Sequence, residues 1–205
     1  MIDGMRVSIV LLAAGQSVRM VGRHKLLLDV GGEPLIRRSA LAALALEPEE
    51  LVIVTGHEQS AVQAALSGLP LRFVFNREYA SGQPSSVAAG VTTLTQWCDA
   101  VMVMPGDLPL IETDDLRFLC SAYRVMERGS IAVPFFKGVR GNPILFSASH
   151  VAEVASGRTN VGCRKLIENN PDLVSMIEVQ NDHFVLDMDT PEDYERVVRR
   201  LGVLE

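Results

Sequence analysis

Basic charge is in short supply in this sequence: 19 lysines and arginines face 25 acidic residues, a formal net charge of -6. Binding a nucleic-acid backbone calls for a basic face, so nucleic acid is not an expected partner. A local basic cluster for a phosphorylated small molecule is still compatible with that balance. Cysteine is scarce too. Cys98, Cys120 and Cys163 lie far apart with no pair at metal-ligand spacing, which argues against a zinc module and predicts reduced thiols. No apolar run approaches the ~18 residues needed to span a bilayer. The apolar run from Val7 to Ala14 follows only Asp3 and Arg6 and lacks a small-residue cleavage site, so no secretory pattern is read. A cytoplasmic protein without membrane contact is the expectation.

Several catalytic signatures are missing as well. There is no G-x-G-x-x-G, no G-x-x-x-x-G-K-[ST] and no G-x-S-x-G. His24, His57, His150 and His183 are scattered without metal-ligand pairing. This excludes the dinucleotide fingerprint, the Walker A loop and the serine nucleophile elbow.

What is present is an alternation. Apolar, β-rich runs at Val7 to Leu12, Leu51 to Thr55, Leu71 to Phe75 and Ala100 to Met104 alternate with helical stretches at Pro34 to Leu46, Glu58 to Leu66 and Pro84 to Thr95. Near-continuous apolar strands between helices predict a parallel sheet covered on both faces, and the right-handed crossover makes it doubly wound. Beyond Met104 the reading is a helix from Thr113 to Arg128 with Thr113 as N-cap, and a strand from Ser130 to Pro134. A turn or flap follows from Phe135 to Gly141, then an antiparallel return from Asn142 to Phe146. Arg164 to Asn169 and Pro191 to Leu201 read as helices, with Val174 to Val179 as a strand between them. No linker divides the 205 residues, so one domain is expected.

Four stretches could carry chemistry. In Leu12-Ala13-Ala14-Gly15 a strand runs into small residues whose N–H groups can form an anion-binding concavity, with Arg19 and Lys25 supplying a planar fork and a mobile ammonium. An ordinary tight βα turn explains the glycine equally well. In Met104-Pro105-Gly106-Asp107-Leu108-Pro109 an aspartate stands at the carboxyl end of a strand, where open α/β sheets bind ligands. A fixed carboxylate there suits Mg2+, which prefers oxygen ligands and phosphates. In Asp187-Met188-Asp189-Thr190-Pro191-Glu192-Asp193, Thr190 reads as an N-cap and Glu192 and Asp193 as helix-start acids. Asp187 and Asp189 have no such structural reason, and either could be a second metal carboxylate. In Ser81 to Gly90, Gly82 breaks the chain and Pro84 opens a helix whose N-terminus favours a phosphate or a base or sugar oxygen.

In this order, these stretches resemble the molybdenum-cofactor nucleotidyltransferases. The matching segments are Leu12 to Lys25 with LLLDVGGEPLI, then VIVTGHE, SGQPSSVAAG, MPGDLPLI, RGNPILF and DMDTPEDY, which span nearly the whole chain. The resemblance implies a three-layer α/β nucleotide-diphospho-sugar transferase (Rossmann-like) fold, with a mixed, mostly parallel seven-stranded sheet. It implies one domain over 1–205, with a nucleotide-binding half at about 1–110 and an acceptor-binding half at about 111–205. The implied reaction joins a nucleoside triphosphate to a phosphorylated acceptor of molybdopterin type and releases pyrophosphate, with Mg2+ as cofactor and Mn2+ as a substitute. A molybdoenzyme would be the client. Carried over, Gly15, Arg19 and Lys25 hold the triphosphate, with Arg19, Lys25 and Asp107 catalytic. Asp107 and Asp189 bind the metal, with Asp187 in reserve. Leu12, Ala13, Ala14, Thr55, Gly56, Gly82 and Ser85 surround the base and ribose.

Ala13-Ala14-Gly15 and Thr55-Gly56 resemble the cytidylyl rather than the guanylyl members, and alanine methyls would narrow the pocket towards a pyrimidine. CTP is therefore favoured. Guanylyl transfer, transfer to a sugar or polyol phosphate, and a non-catalytic cofactor carrier are the alternatives. Two features depart from the pattern. Val21 stands where relatives have glycine, and Asn160 to Arg164 replaces Asp-x-Gly-Ala-Arg.

Overall fold

The structure is a computed structural model that describes residues 4–20, 22–127, 129–156 and 162–202. Val21, Asn160 and Val161, where the sequence departs from its relatives' pattern, lie outside the described residues.

Among the described residues eight strands form one sheet: β1 (Val7–Ala13), β2 (Glu50–Thr55), β3 (Arg72–Phe75), β4 (Ala100–Pro105), β5 (Ile131–Phe136), β6 (Val139–Arg140), β7 (Ile144–Ser147) and β8 (Val174–Glu178). Their order is β3-β2-β1-β4-β7-β5-β6, with β8 pairing β5. The first four strands run parallel, and β5 with β8 is parallel too. Only β7 and the two-residue β6 are antiparallel to their neighbours. The expected mixed, mostly parallel sheet of seven strands is present, with the short β6 as an eighth.

Among the described residues seven helices cover the sheet: α1 (Leu35–Leu44), α2 (Gln59–Ala65), α3 (Gln83–Thr92), α4 (Thr113–Arg124), α5 (Val151–Ala155), α6 (Gly162–Asn169) and α7 (Pro191–Arg200). The two faces follow from strand periodicity. Along β1, Ile9, Leu11 and Ala13 enter one core with Leu35, Ile36 and Ala40 of α1, Leu116 of α4 and Val197 of α7. Val10, Leu12 and the following Ala14 enter the other with Val87 and Val91 of α3, Val154 of α5 and Leu166 of α6. Three layers result.

One expectation is corrected at α4. Glu112, not Thr113, occupies the N-cap of α4, and the helix ends at Arg124. The Thr113 hydroxyl donates instead to the Ala42 carbonyl of α1 at 3.2 Å, while the Glu112 N–H donates to Asp115 Oδ2 at 2.9 Å. The segment from Phe135 to Gly141 is a hairpin within the sheet. Lys137 (φ 48°) and Gly138 (φ 82°) make its tight turn, and two consecutive positive φ values match the right-handed twist of the flanking strands.

Candidate active site

At the carboxyl ends of β1 and β4 the chain opens a cleft of about 370 Å3. Strand order changes direction here: β1 connects outward to β2 and β3 on one side and has β4 on the other, the arrangement that leaves a crevice in open sheets. The loop after β1 folds over it. The Lys25 N–H donates to Ser17 Oγ at 3.1 Å and the Met20 N–H to the Ser17 carbonyl at 2.9 Å, with Ser17 itself left-handed at φ 51°. On the β4 side, the Gly106 N–H donates to the Leu12 carbonyl at 3.0 Å. A Cβ at Gly106 would sit 2.9 Å from that oxygen and 3.0 Å from Ile36 Cδ1, so only glycine lets the turn press this close and present Asp107.

The third arm arrives from the far end of the sequence. The Met188 N–H donates to the Asp107 carbonyl at 3.0 Å, which sets the Asp187 to Asp189 stretch beside the β4 loop. Asp193 holds it there by accepting from the Asp189 N–H, the Thr190 N–H and the Thr190 hydroxyl. Thr190 and Asp193 form a capping box at the start of α7, as the sequence predicts.

These arms meet at Lys25. Its ammonium donates to Asp107 Oδ2 and to Asp189 Oδ1, each at 2.6 Å, bridging 82 and 164 positions of chain. Arg19, largely exposed, reaches Asp189 Oδ2 at 2.6 Å. Burial lowers the affinity of Lys25 for its proton, yet the two carboxylates outweigh it and push its pKa above the ordinary range. Asp189 shows the same balance from the other side. Burial pushes it up, but the hydrogen bond and charge of Lys25 and the charge of Arg19 bring it below the usual carboxylate value. Asp187 has less help. Burial, then repulsion from Asp189 and Asp107, raise its pKa. Among the described residues no three acidic, histidine or cysteine side chains are grouped to hold a metal. The fit is nonetheless good for two carboxylates: Asp107 and Asp189 converge on a single cation position, here taken by an ammonium.

Leu12, Ala14, Gly15, Arg19, Lys25, Gly82, Asp107 and Asp189 all line the cleft. Ala13 does not, because strand alternation turns its methyl into the opposite core. Thr55 is fully buried, with its hydroxyl donating to the Val74 carbonyl. Gly56 sits behind the wall: a Cβ there would lie 2.6 Å from Tyr79 Cβ and 2.8 Å from the Ala14 carbonyl oxygen. The Ser85 hydroxyl donates to the Gly82 and Glu78 carbonyls rather than facing the cleft. Asp187 neighbours the two other carboxylates without lining the cleft. Gln16, Ser17, Gln83 and Ser86 also line it; they lie in the stretches that the sequence singles out but carry no assigned role there, and Tyr79, which lines it too, lies outside them. The one-turn spacing from Gly82 into α3 could have pointed to Gln83 and Ser86.

Behind the Tyr79 wall stand two stacked histidines. His24 and His57 have ring centroids 6.1 Å apart at 10°, and His57 is 6.4 Å from Tyr79. His24 is buried, and among the described residues neither ring nitrogen has a well-aligned hydrogen-bond partner. Burial therefore lowers its pKa below 6.5, and the His57 and Lys25 charges add to this. The Glu58 carboxylate, the largest influence after burial, and the His57 backbone pull the other way without overcoming it. A lowered folded-state value means that the unfolded chain binds the extra proton more readily. The stability His24 contributes is thus complete above its unfolded value and lost as pH falls from there towards the folded one. Urea unfolding at about pH 7.5 and pH 5.5 should show a smaller acid loss in His24→Phe, which keeps a ring against His57, than in the wild type. An equal loss in both would assign the acid sensitivity elsewhere.

Residues 9–174 match the MobA-like NTP transferase domain. The chain belongs to that family. That family is one of nucleotidyltransferases. The purine catabolism protein PucB of Bacillus subtilis is 27% identical over 202 residues, covering 94% of this chain and 96% of PucB. The bifunctional protein GlmU of Alkalilimnicola ehrlichii is 39% identical over 114 residues, 55% of this chain. The chain spans only 24% of that longer protein. Among solved structures, Rv0371c of Mycobacterium tuberculosis superposes with a TM-score of 0.79 at 26% identity, covering 95% of this chain and 98% of that one. No described helix is long and apolar enough to cross a membrane.

Proposed function

We propose that this nucleotidyltransferase moves CMP from CTP to a phosphorylated acceptor of molybdopterin type, with Mg2+ as cofactor. The observation that carries the reading is the convergence of Lys25, Asp107 and Asp189 at the mouth of a cleft walled by the β1 turn and the start of α3. The nucleotide half of the chain, about 1–110, supplies both cleft walls. The remainder supplies Asp189 and the acceptor side.

An acceptor phosphate oxygen attacks the α-phosphorus, a new P–O bond forms, and the bond to the β-phosphate oxygen breaks to release pyrophosphate. A phosphate monoester is already ionised, so no general base is needed. Arg19 and Lys25 neutralise charge that grows on the leaving group. Asp107 and Asp189 would hold Mg2+, which supplies Lewis-acid neutralisation of the phosphate oxygens. Manganese would serve in its place, and Rv0371c is known as a manganese complex.

Support for cytidine now rests on a narrower base than the sequence offered. The Ala14 methyl and the Tyr79 ring narrow the cleft, whereas Ala13 contributes nothing to it. Thermal unfolding with CTP, GTP, ATP and UTP in the presence of Mg2+ tests the assignment, since preferential binding stabilises the folded state by RT ln(1 + [L]/Kd). CTP is expected to give the largest shift. A larger shift with GTP would replace cytidine by guanosine. Pyrophosphate release from CTP only when molybdopterin is added would establish the acceptor; release with a sugar phosphate instead would reassign it.

A further inference from the structure

Two serines open α3, and only one has its hydroxyl proton spent within the protein. Asn76 lies buried beneath them. Its orientation is dictated by the Glu78 backbone N–H, which can only donate and does so to Asn76 Oδ1 at 2.9 Å. The amide Nδ2 therefore faces the serines, donating to Ser85 Oγ at 2.8 Å and to Ser86 Oγ at 3.0 Å. Ser85 passes its own proton to the Gly82 and Glu78 carbonyls at 2.8 and 3.0 Å. Ser86 is only 4% exposed and lines the cleft, yet its hydroxyl has no acceptor among the described residues.

We propose that Asn76 is a positioning residue for base selection: by occupying a lone pair of Ser86 Oγ, it turns the Ser86 hydroxyl into a donor facing the cleft. The atom recognised is an acceptor on the base edge, such as a pyrimidine carbonyl oxygen or an unprotonated ring nitrogen. Of the leading α3 positions, Pro84 has no N–H and the Ser85 N–H donates to the Gly82 carbonyl at 3.3 Å, so neither adds a backbone donor to this wall. An exocyclic amino group placed against this wall would set donor against donor. A buried hydroxyl with an unspent proton is costly, and a base that accepts it recovers that cost. This inference rests on the cleft being the nucleotide site.

The test is calorimetric titration of CTP, UTP, GTP, ATP and inorganic tripolyphosphate, each with Mg2+. The proteins are the wild type, Asn76→Asp, Ser86→Ala and the double variant. An aspartate at 76 can still accept from the Glu78 N–H, but its other oxygen takes the Ser86 proton and turns the Oγ lone pairs into the cleft. The nucleotide preferred by the wild type should weaken about tenfold. Tripolyphosphate, which carries no base, should change less than about twofold. In the Ser86→Ala background, Asn76→Asp should add less than about twofold, because the two residues act as one unit.

Equal weakening of every ligand, tripolyphosphate included, would reduce Asn76 to a scaffold residue and overturn the proposal. So would an Asn76→Asp effect that persists undiminished without the Ser86 hydroxyl. Should Asn76→Asp not fold, Ser86→Thr and Ser86→Ala decide: threonine keeps the hydroxyl and the base preference, alanine loses the preference, and identical behaviour overturns the proposal. A wild type that binds tripolyphosphate but shows no nucleotide affinity beyond it would overturn the nucleotide reading of the cleft. Nucleotide binding whose preference is indifferent to Ser86→Ala would overturn this inference alone.

Discussion

Replacing Lys25 by methionine should abolish most turnover while leaving a folded, less stable protein whose stability a divalent cation restores. Lys25 is the only group bonded to both Asp107 and Asp189 among the described residues, and its side chain is 12% exposed against 23% and 18% for theirs. Methionine keeps the length and apolar stem but removes the charge. Two carboxylates, with Asp187 close by, then face one another with only the exposed Arg19 still attached. Breaking a buried pair from one side costs about 3–5 kcal/mol, and the residual solvent access places this cluster below that range, at about 2–3 kcal/mol. Loss of a cation aimed at developing phosphate charge costs about 10²–10³ in kcat. Calorimetric unfolding with and without Mg2+ or Mn2+ separates charge from packing. The ion should stabilise Lys25→Met more than the wild type, since the wild-type carboxylates already share an ammonium. Equal stabilisation of the two proteins would mean that lysine and metal do not compete for those oxygens.

Gly90→Ala should destabilise the protein even though alanine is the better helix former. A Cβ at Gly90 would stand 2.3 Å from Val10 Cγ1 and 2.8 Å from Val54 Cγ2. Both valines are fully buried on the central strands β1 and β2, and their branched side chains have little rotamer freedom with which to yield. Alanine gains about 1 kcal/mol of helix propensity. Against it stands overpacking of about 1–3 kcal/mol, and the shortest contact puts this site at the upper end. The net loss is about 1–2 kcal/mol, a fall of roughly 5 °C in Tm for a domain of this size. Val10→Ala in the same chain opens the space and should return part of that loss, a non-additivity expected of residues in contact. Simple addition of the two losses would locate the strain elsewhere. The helix also carries Gln83 and Ser86 to the cleft, so Gly90→Ala should weaken nucleotide binding as well as lower Tm.

The sequence made the central sheet readable because its strands are apolar on both faces and its helices intervene at regular intervals. It also made Lys25, Asp107 and Asp189 readable as residues. Their pairing was not, since no local rule brings together groups separated by 82 and 164 positions. Ala13 shows a different limit. The loop motif treats it as equivalent to Ala14, while the two-residue strand period that already governs Ile9 and Leu11 sends it to the opposite face. Tyr79 escaped because it lies outside the motifs, and the roles of Gln83 and Ser86 stayed unassigned because they depend on how closely α3 is set against β1, where Gly90 meets Val10. The His24–His57 stack likewise joins two loops that only the tertiary fold brings together.

The bond from Met188 to the Asp107 carbonyl, and the carboxylate it delivers, also bear on how the molecule is made. Non-local contacts form late because chain entropy must be surrendered before they repay it. The longest-range contacts of the cleft are those of Asp189, which gives Lys25 its second carboxylate and pairs with Arg19. A partly folded chain, with β1 to β4 already paired, therefore presents Lys25 and Asp107 without Asp189. Ligands that need all three select the finished protein and leave its folding intermediates untouched. In a cell, nucleotide and metal would act as inspectors of completed molecules and give no help to those still assembling.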